Sequence, residues 1–336
     1  MKHYFNINFL RFVSAIGLVI FHLLHYNLPN GFQDYYKVLE QSTSSTYLLV
    51  DLFLIISGFF LFKTSTKNTN IFKYIKNRFI RIYPVFLFYN IIMLVMKWEP
   101  AFFTKTNIFL LECMHNSFTC EGILWFITPF IWSCILLYII LKVTKRFSRY
   151  IIWPLMILCY ITMIDVSGGY FNMFAYISPF INFATLRVIS GLCIGILLGI
   201  HQDKIKKFDL TTIQSSIIET IVICLLFTNL FITKIFINDL YTICLFTVLV
   251  YTFTTKKSYI SNLINKPFFG YFGRYAYSIY IMQQISFIIL NKTSIQYHFF
   301  PIQTLILYTI ISVLIGILTY YIIEYPIQKL QHRTKL

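Results

Sequence analysis

The chain has 336 residues, of which 58% are hydrophobic and 12% charged, and its mean hydropathy is +0.71. A soluble domain carries about twice that share of charged residues and has shorter apolar runs. The composition therefore excludes a soluble protein. It predicts an all-α, polytopic membrane bundle in which one apolar helix after another crosses the bilayer.

Ten apolar stretches are candidates for membrane crossings, and no long polar insertion separates them. We therefore expect one transmembrane domain over 1–336, with about ten helices and no appended soluble domain. The predicted spans are 8–27, 47–62, 82–97, 123–141, 150–166, 178–200, 213–232, 236–254, 271–290 and 302–323.

The distribution of Lys and Arg predicts the orientation of the chain. If the N-terminus is cytoplasmic and the spans alternate, 22 of the 28 basic residues fall on the cytoplasmic side. This is the positive-inside pattern, and it predicts that both termini are cytoplasmic. The net charge of +16 then reflects topology and contact with anionic membrane lipids, so no nucleic-acid partner is expected.

The first predicted span carries polar residues on one face. Arg11 and His22 are eleven positions apart, which is about three helical turns, and Ser14 and His25 lie near the same stripe. Such a face is expected to line a polar cavity between helices rather than to meet lipid. The alternative for Arg11 is snorkelling to the headgroups, and for His25 it is a boundary position. His22 lies deeper and is the candidate catalytic residue.

The second span places Asp51 at a depth similar to that of His22. Because the two helices are consecutive and antiparallel, the sequence predicts that Asp51 orients the His22 imidazole, as the acid does in a catalytic triad. The alternative is that Asp51 caps its own helix. Ser57 and Gly58 lie further along, and close helix packing by small residues is their alternative explanation.

The next cytoplasmic loop is strongly basic. Arg78 and Arg81 are three positions apart and therefore neighbours on one helical face. Two guanidinium groups side by side suit phosphate oxygens. A plain positive-inside anchor is the alternative, and we adopt it for the lysines from Lys63 to Lys76.

Other polar residues carry weaker signals. Arg187 in the sixth span either pairs with Glu219 of the seventh or lines the cavity. Cys113 and Cys120 share one predicted outer loop, where a disulfide is plausible. His115 lies between them, but two Cys and one His are weak support for a metal site, and no metal is expected.

Several motifs resemble the acyltransferase-3 family of integral membrane O-acyltransferases. They are "RFVSAIGLVIFH" with Arg11 and His22, "VDLFLIISGFFL", "RFIRIYP" with Arg78 and Arg81, "LWFITPFI", "YSIYIMQ" and "IEYP". Their order and spacing cover essentially the whole chain. Relatives frequently have His where this chain has Gln283.

The resemblance implies a reaction and assigns roles to residues. The donor would be cytosolic acetyl-CoA or another acyl-CoA, and the acceptor a hydroxyl of a cell-surface polysaccharide or its lipid-linked precursor. His22 would be the general base or nucleophile, with Asp51 as the second catalytic residue. Arg78 and Arg81 would bind CoA phosphates, and substrate binding would fall to Arg11, Ser57 and Trp125.

The competing reading is a transporter. A bundle with polar residues in its core could flip a glycan or export a small metabolite, with His22 and Asp51 as a proton relay. Paired arginines at the cytoplasmic surface favour the CoA enzyme, since a glycan flippase needs no phosphate ligands there. Both readings place a multi-pass protein in the plasma membrane.

Overall fold

A computed structural model of the chain describes residues 4–26, 33–67, 69–96, 110, 125–173, 175–178, 181–205, 210–236, 238–293 and 301–333. Nearly all of this is helical. The helices are α1 Phe5–Tyr26, α2 Gln33–Ser42, α3 Leu49–Ser65, α4 Ile71–Val95, α5 Ile127–Thr144, α6 Ser148–Ser167, α7 Phe183–Ile205, α8 Thr212–Phe231, α9 Asp239–Thr255, α10 Tyr259–Ile264, α11 Pro267–Phe272, α12 Ala276–Thr293, α13 Pro301–Thr319 and α14 Tyr325–Arg333.

Shorter elements join some of these helices. A 3₁₀ turn, Thr46–Leu48, leads into α3, and a second one, Lys145–Phe147, connects α5 to α6. A π-helical turn, Tyr320–Glu324, lies between α13 and α14. A short antiparallel ribbon, β1 Tyr176–Ser178 with β2 Ile181–Asn182, precedes α7. The all-α prediction missed this ribbon.

Seven stretches of the described residues are long and apolar enough to cross a membrane. They are Phe5–His25, Thr46–Ser65, Ile71–Val95, Ile127–Ser167, Phe183–Gln202, Thr212–Phe231 and Ile302–Gln331. The prediction of an all-α membrane protein is confirmed. Each of the ten predicted spans overlaps a helix. One of the seven stretches, Ile127–Ser167, contains two of these helices, α5 and α6, and two others, α9 and α12, lie outside the seven stretches. Ten crossings and cytoplasmic termini stay predictions.

Helices α3 and α7 pack with their backbones in contact. A Cβ atom at Gly58 would lie 2.1 Å from the Leu192 carbonyl oxygen, and one at Gly195 would lie 2.0 Å from that of Ile55. Only glycine permits this approach, which is the way small residues bring membrane helices together. The close packing that the sequence offered as an alternative role for Gly58 is therefore what the structure shows.

The α7 side of this contact has a fixed period. Arg187, Gly191, Gly195 and Gly199 follow one another every four residues and so form one row along α7. The three glycines approach Leu54, Ile55 and Phe62 of α3 in ascending order, so the two helices run in the same direction. The glycine row thereby carries Arg187 against the N-terminal end of α3.

Helix α12 packs against α1 near the N-terminus and against α13 near the C-terminus. It runs parallel to α1, with Gly273 of the preceding turn close to Asn8 and Gln283 close to His22. It runs antiparallel to α13, where the Ser286 and Ser312 hydroxyls lie 2.5 Å apart. Helices α1, α3 and α12 and the start of α5 surround one region of the bundle.

Candidate active site

A cavity lies between these four helices. Its α1 wall is Arg11, Ser14, Ala15 and Leu18, and the remaining walls are Val50 and Phe53 of α3, Phe126 before α5, and Ala276, Tyr277 and Tyr280 of α12. It encloses about 350 Å³ between the atoms, including its open side. Of the predicted polar stripe of α1, Arg11 and Ser14 line this cavity, whereas His22 and His25 are not among its walls.

His22 lies directly beyond the far end of this cavity. It is four residues, or about one turn, after Leu18 on α1, and its ring centroid is 6.0 Å from that of Tyr280. Its Nδ1 lies 3.2 Å from Oε1 of Gln283, which follows Tyr280 by one turn on α12. His22 is 8% exposed and Gln283 is fully buried. The His22–Gln283 pair therefore adjoins the Leu18 and Tyr280 walls, and neither residue lines the cavity itself.

Arg11 lies at the opposite end. Its guanidinium carbon sits 5.1 Å from the ring centroid of Phe53 and 5.8 Å from that of Phe60, and its Nε has no hydrogen-bond partner in the part of the chain described. Along an ideal helix Arg11 and His22 are about 16 Å apart. A molecule occupying the cavity would therefore have a half-buried cation at one end and the His22 imidazole close to the other.

Three arginines converge near the Arg11 end. Arg11 lies within electrostatic range of Arg78 and Arg81 on α4, and also of Glu324 in the π-helical turn. The Glu324 carboxylate accepts hydrogen bonds from Ser278 (2.8 Å) and Gln328 (2.9 Å). Three guanidinium groups thus share one nearby carboxylate among the described residues, which leaves an excess of positive charge for an anionic ligand.

The two α4 arginines differ in their surroundings. The Arg78 Nη2 donates to Sγ of Cys134 (2.6 Å), and its guanidinium stacks 4.7 Å from the Phe130 ring centroid. Arg81 is exposed. Neighbouring positions on α4 therefore give one arginine held against α5 and one with an exposed side chain, rather than two equivalent ligands.

Asp51 has a different partner from the one that the sequence predicted. Its Oδ2 pairs with Nη2 of Arg187 at 2.6 Å, and both of its oxygens accept from Nε of Arg187 at 3.2 Å. Asp51 is 1% and Arg187 3% exposed. The predicted Asp51–His22 pair is thus replaced by two separate pairs, Asp51–Arg187 and His22–Gln283.

The Arg187 guanidinium is held on every side. Nη1 donates to the Phe171 carbonyl (3.0 Å) and Nη2 to the Tyr47 carbonyl (3.1 Å). The rings of Tyr47 and Trp125 lie 5.4 and 5.3 Å from the guanidinium carbon. Arg187 therefore neither lines the cavity nor pairs with Glu219, which accepts instead from the Ser261 backbone N–H (3.0 Å).

A second buried acid extends this arrangement toward α9. Asp239 accepts hydrogen bonds from the Tyr47 hydroxyl and from the Phe171 backbone N–H (2.6 Å), and it pairs with Lys234 at 3.3 Å. Tyr47 and Phe171 each contact both Arg187 and Asp239. The Asp51–Arg187–Asp239 contacts therefore tie α3, α7 and α9 together.

The remaining predicted site residues lie beside the cavity or outside the described structure. Trp125 stacks on Arg187 and adjoins Phe126, a cavity wall, through an edge-on ring contact at 5.8 Å. Ser57 is buried and does not line the cavity. Cys113, His115 and Cys120 lie outside the described residues, and among those described no group of His, Cys, Asp and Glu could hold a metal ion.

Sequence reasoning missed the role of α12. Tyr277 and Tyr280 line the cavity, and the Tyr277 hydroxyl donates to the Ile82 carbonyl (2.7 Å), joining α12 to α4. Gln283 contacts the candidate catalytic imidazole. The signal was present in the "YSIYIMQ" motif, but nothing in a single sequence shows that this segment faces α1.

The fold and the site together define a class of protein: a multi-pass membrane protein with a polar-ended cavity inside its helix bundle. The chain belongs to the acyltransferase-3 family, whose acyltransferase domain matches residues 4–321. It is therefore a membrane acyltransferase. No curated protein and no solved structure matches the chain.

Proposed function

We propose that this acyltransferase moves an acyl group, acetyl in the first instance, from cytosolic acyl-CoA to a hydroxyl of a cell-surface polysaccharide or its lipid-linked precursor, at the plasma membrane. The observation that carries the proposal is the cavity, which Arg11 lines and whose walls Leu18 and Tyr280 adjoin the His22–Gln283 pair. An acyl-CoA transferase needs both an anion-binding end and a base, whereas the transporter reading relies on a His22–Asp51 relay, and Asp51 pairs with Arg187 instead.

The arginines supply the donor site in this proposal. Arg81 is exposed, Arg11 has an unpartnered buried Nε, and few carboxylates compete with a ligand among the described residues nearby. CoA carries several phosphates, which guanidinium groups bind through charge-assisted hydrogen bonds. The narrow pantetheine arm and the thioester would then extend into the cavity.

His22 supplies the chemistry in this proposal. Its unprotonated nitrogen takes the proton of the acceptor hydroxyl as the oxygen attacks the thioester carbonyl. The tetrahedral intermediate collapses, the C–S bond breaks, and the imidazolium returns the proton to the CoA thiolate. The products are an O-acyl ester and free CoA. In the covalent alternative the same nitrogen attacks the thioester carbonyl, the C–S bond breaks and CoA leaves as the thiolate. The acceptor hydroxyl then attacks the acyl-imidazole, the C–N bond breaks, and the hydroxyl proton ends on CoA, so that the products are the same.

Mass spectrometry of surface glycans tests the function. We expect glycans from cells that express the protein to carry acyl groups that disappear when the gene is deleted, so that each modified unit loses the mass of one acyl group. A transporter predicts another result, in which the amount of surface glycan falls while the mass of each unit stays the same. That result would contradict the proposal.

Replacing Arg81 tests the donor site. We expect Arg81→Ala to raise KM for acyl-CoA about tenfold or more with little change in kcat, since a hydrogen bond to a charged group contributes about 1.5–3 kcal/mol. Arg81→Lys should restore only part of the affinity, because an ammonium lacks the bidentate fork. Initial rates against acyl-CoA concentration in inside-out membrane vesicles provide the measurement.

Lys76 offers the matched control for Arg81. It is an exposed cation on the same helix, five residues earlier, and we interpret it as a membrane anchor. Lys76→Ala should leave KM for acyl-CoA within about twofold. An equal rise of KM in both variants would show that general surface charge, and not a phosphate site, governs donor binding.

A further inference from the structure

Gln283 is a hydrogen-bond partner of the His22 side chain on another helix. The pair joins α1 to α12 in the interior, where both side chains are at least nine-tenths buried. A buried glutamine must satisfy both ends of its amide, so its orientation carries information about its neighbours.

The other end of the amide fixes that orientation. The Gln283 Nε2 donates to the Tyr280 carbonyl oxygen at 2.8 Å. A carbonyl oxygen only accepts hydrogen bonds, so the NH₂ group must face Tyr280 and the amide oxygen must face His22. Exchanging the two amide atoms would place oxygen against oxygen at one end of the contact.

The orientation of the amide determines the imidazole tautomer. An amide oxygen only accepts, so the facing Nδ1 of His22 must carry the proton. The Leu18 carbonyl, one turn earlier on α1, is a second acceptor beside this ring. In the neutral imidazole the lone pair is then on Nε2. The reactive nitrogen of His22 is thereby chosen by its neighbours.

We propose that Gln283 is the positioning residue of the reaction, which holds His22 in the tautomer with its lone pair on Nε2. The inference rests on the proposed function and deepens it. Gln283 orients the His22 imidazole, the role that the sequence analysis predicted for Asp51, but it does so with a neutral amide. It fixes the ring without placing a negative charge beside it.

A neutral partner has a consequence for pH dependence. A carboxylate at position 283 would stabilise the protonated imidazole, which cannot act as base or nucleophile. The other titratable groups facing His22 in the described structure are His25 on α1 and Tyr280 on α12. On α3, Asp51 is paired with Arg187. The charge at position 283 should therefore control how much His22 is active near neutral pH.

Two substitutions of Gln283 separate orientation from charge. Gln283→Met keeps the size of the side chain but removes the acceptor, and we expect kcat to fall about tenfold or more while KM for acyl-CoA stays within about twofold. Gln283→Glu keeps an acceptor and adds charge. We expect the acidic limb of its pH–rate profile to move to higher pH by about one unit or more.

Gln202 provides the matched control. It is a glutamine of α7, 3% exposed and outside the cavity walls, so Gln202→Met and Gln202→Glu make the same chemical changes elsewhere in the bundle. We expect neither to alter kcat at constant amounts of folded protein or to move the pH–rate profile. Gel filtration of the solubilised variants measures the folded amount.

The outcomes distinguish this inference from the proposed function. Wild-type protein without acyl-CoA-dependent transfer would contradict the proposed function. An active wild type with unchanged kcat in Gln283→Met and an unmoved profile in Gln283→Glu would overturn the positioning role. Failure of both variants to fold would assign Gln283 to stability alone and would overturn it as well.

Discussion

His22→Ala is expected to lower acyl transfer by about 10²–10⁴-fold, the contribution typical of a general acid–base residue. The imidazole adjoins the end of the cavity opposite Arg11. The other imidazole nearby, His25, lies three residues further along α1, and its Nδ1 is 3.0 Å from the Phe21 carbonyl oxygen of its own helix. Because His22 touches the reacting atoms in our proposal, the loss should appear in kcat rather than in KM for acyl-CoA.

His22→Gln accompanies this variant because it keeps a polar side chain against Gln283 and so guards against misfolding. His201→Ala is the matched control: this histidine lies on α7, and its Nδ1 donates to the Leu197 carbonyl oxygen of the same helix at 2.9 Å. We expect His201→Ala to retain activity. If folded His22→Ala and His22→Gln still acylate at the wild-type rate, His22 has no part in the chemistry.

Breaking the Asp51–Arg187 pair is expected to have the largest effect on stability. Asp51→Ala leaves a buried guanidinium without its carboxylate, and Arg187→Met leaves a buried carboxylate without its cation. Removing one partner of a buried ion pair costs about 3–5 kcal/mol. Either variant should accumulate poorly in the membrane and unfold at lower temperature after solubilisation, as measured by thermal denaturation in detergent.

The double variant Asp51→Leu with Arg187→Met separates charge from packing. Because it leaves no unpaired charge, we expect it to be clearly more stable than either single variant. Activity measured on the folded fraction of these variants distinguishes two roles of Asp51: activity is retained if Asp51 is structural and lost if it is catalytic. Normal stability of Asp51→Ala together with lost activity would restore Asp51 to the chemistry.

The helices themselves were predictable from local sequence. Apolar runs of sufficient length form helices in a bilayer because every backbone N–H and C=O must be satisfied within the segment. The polar face of α1 was predictable for the same reason, since Arg11, Ser14 and His22 recur at helical spacing. The cavity beside Arg11 and Ser14 follows from that periodicity.

The partners of the site residues were not predictable in this way. His22 and Asp51 were matched by their depth, but depth is only one coordinate, and the rotation of each helix about its axis decides which side chains meet. On α3 that rotation is set by the glycine contact with α7, which brings Asp51 to Arg187. On α1 it is set by packing against α12, which brings His22 to Gln283.

The amino-acid sequence by itself determined that this protein is helical and membrane-embedded, which family it resembles, and that Arg11 and His22 share one face, because these properties depend on composition and on spacing within single segments. Only the tertiary structure decided which residues neutralise and orient one another. Asp51, Arg187 and Gln283 come from helices far apart in the chain. Their pairing depends on the rotation and close approach of those helices, and no local pattern encodes that.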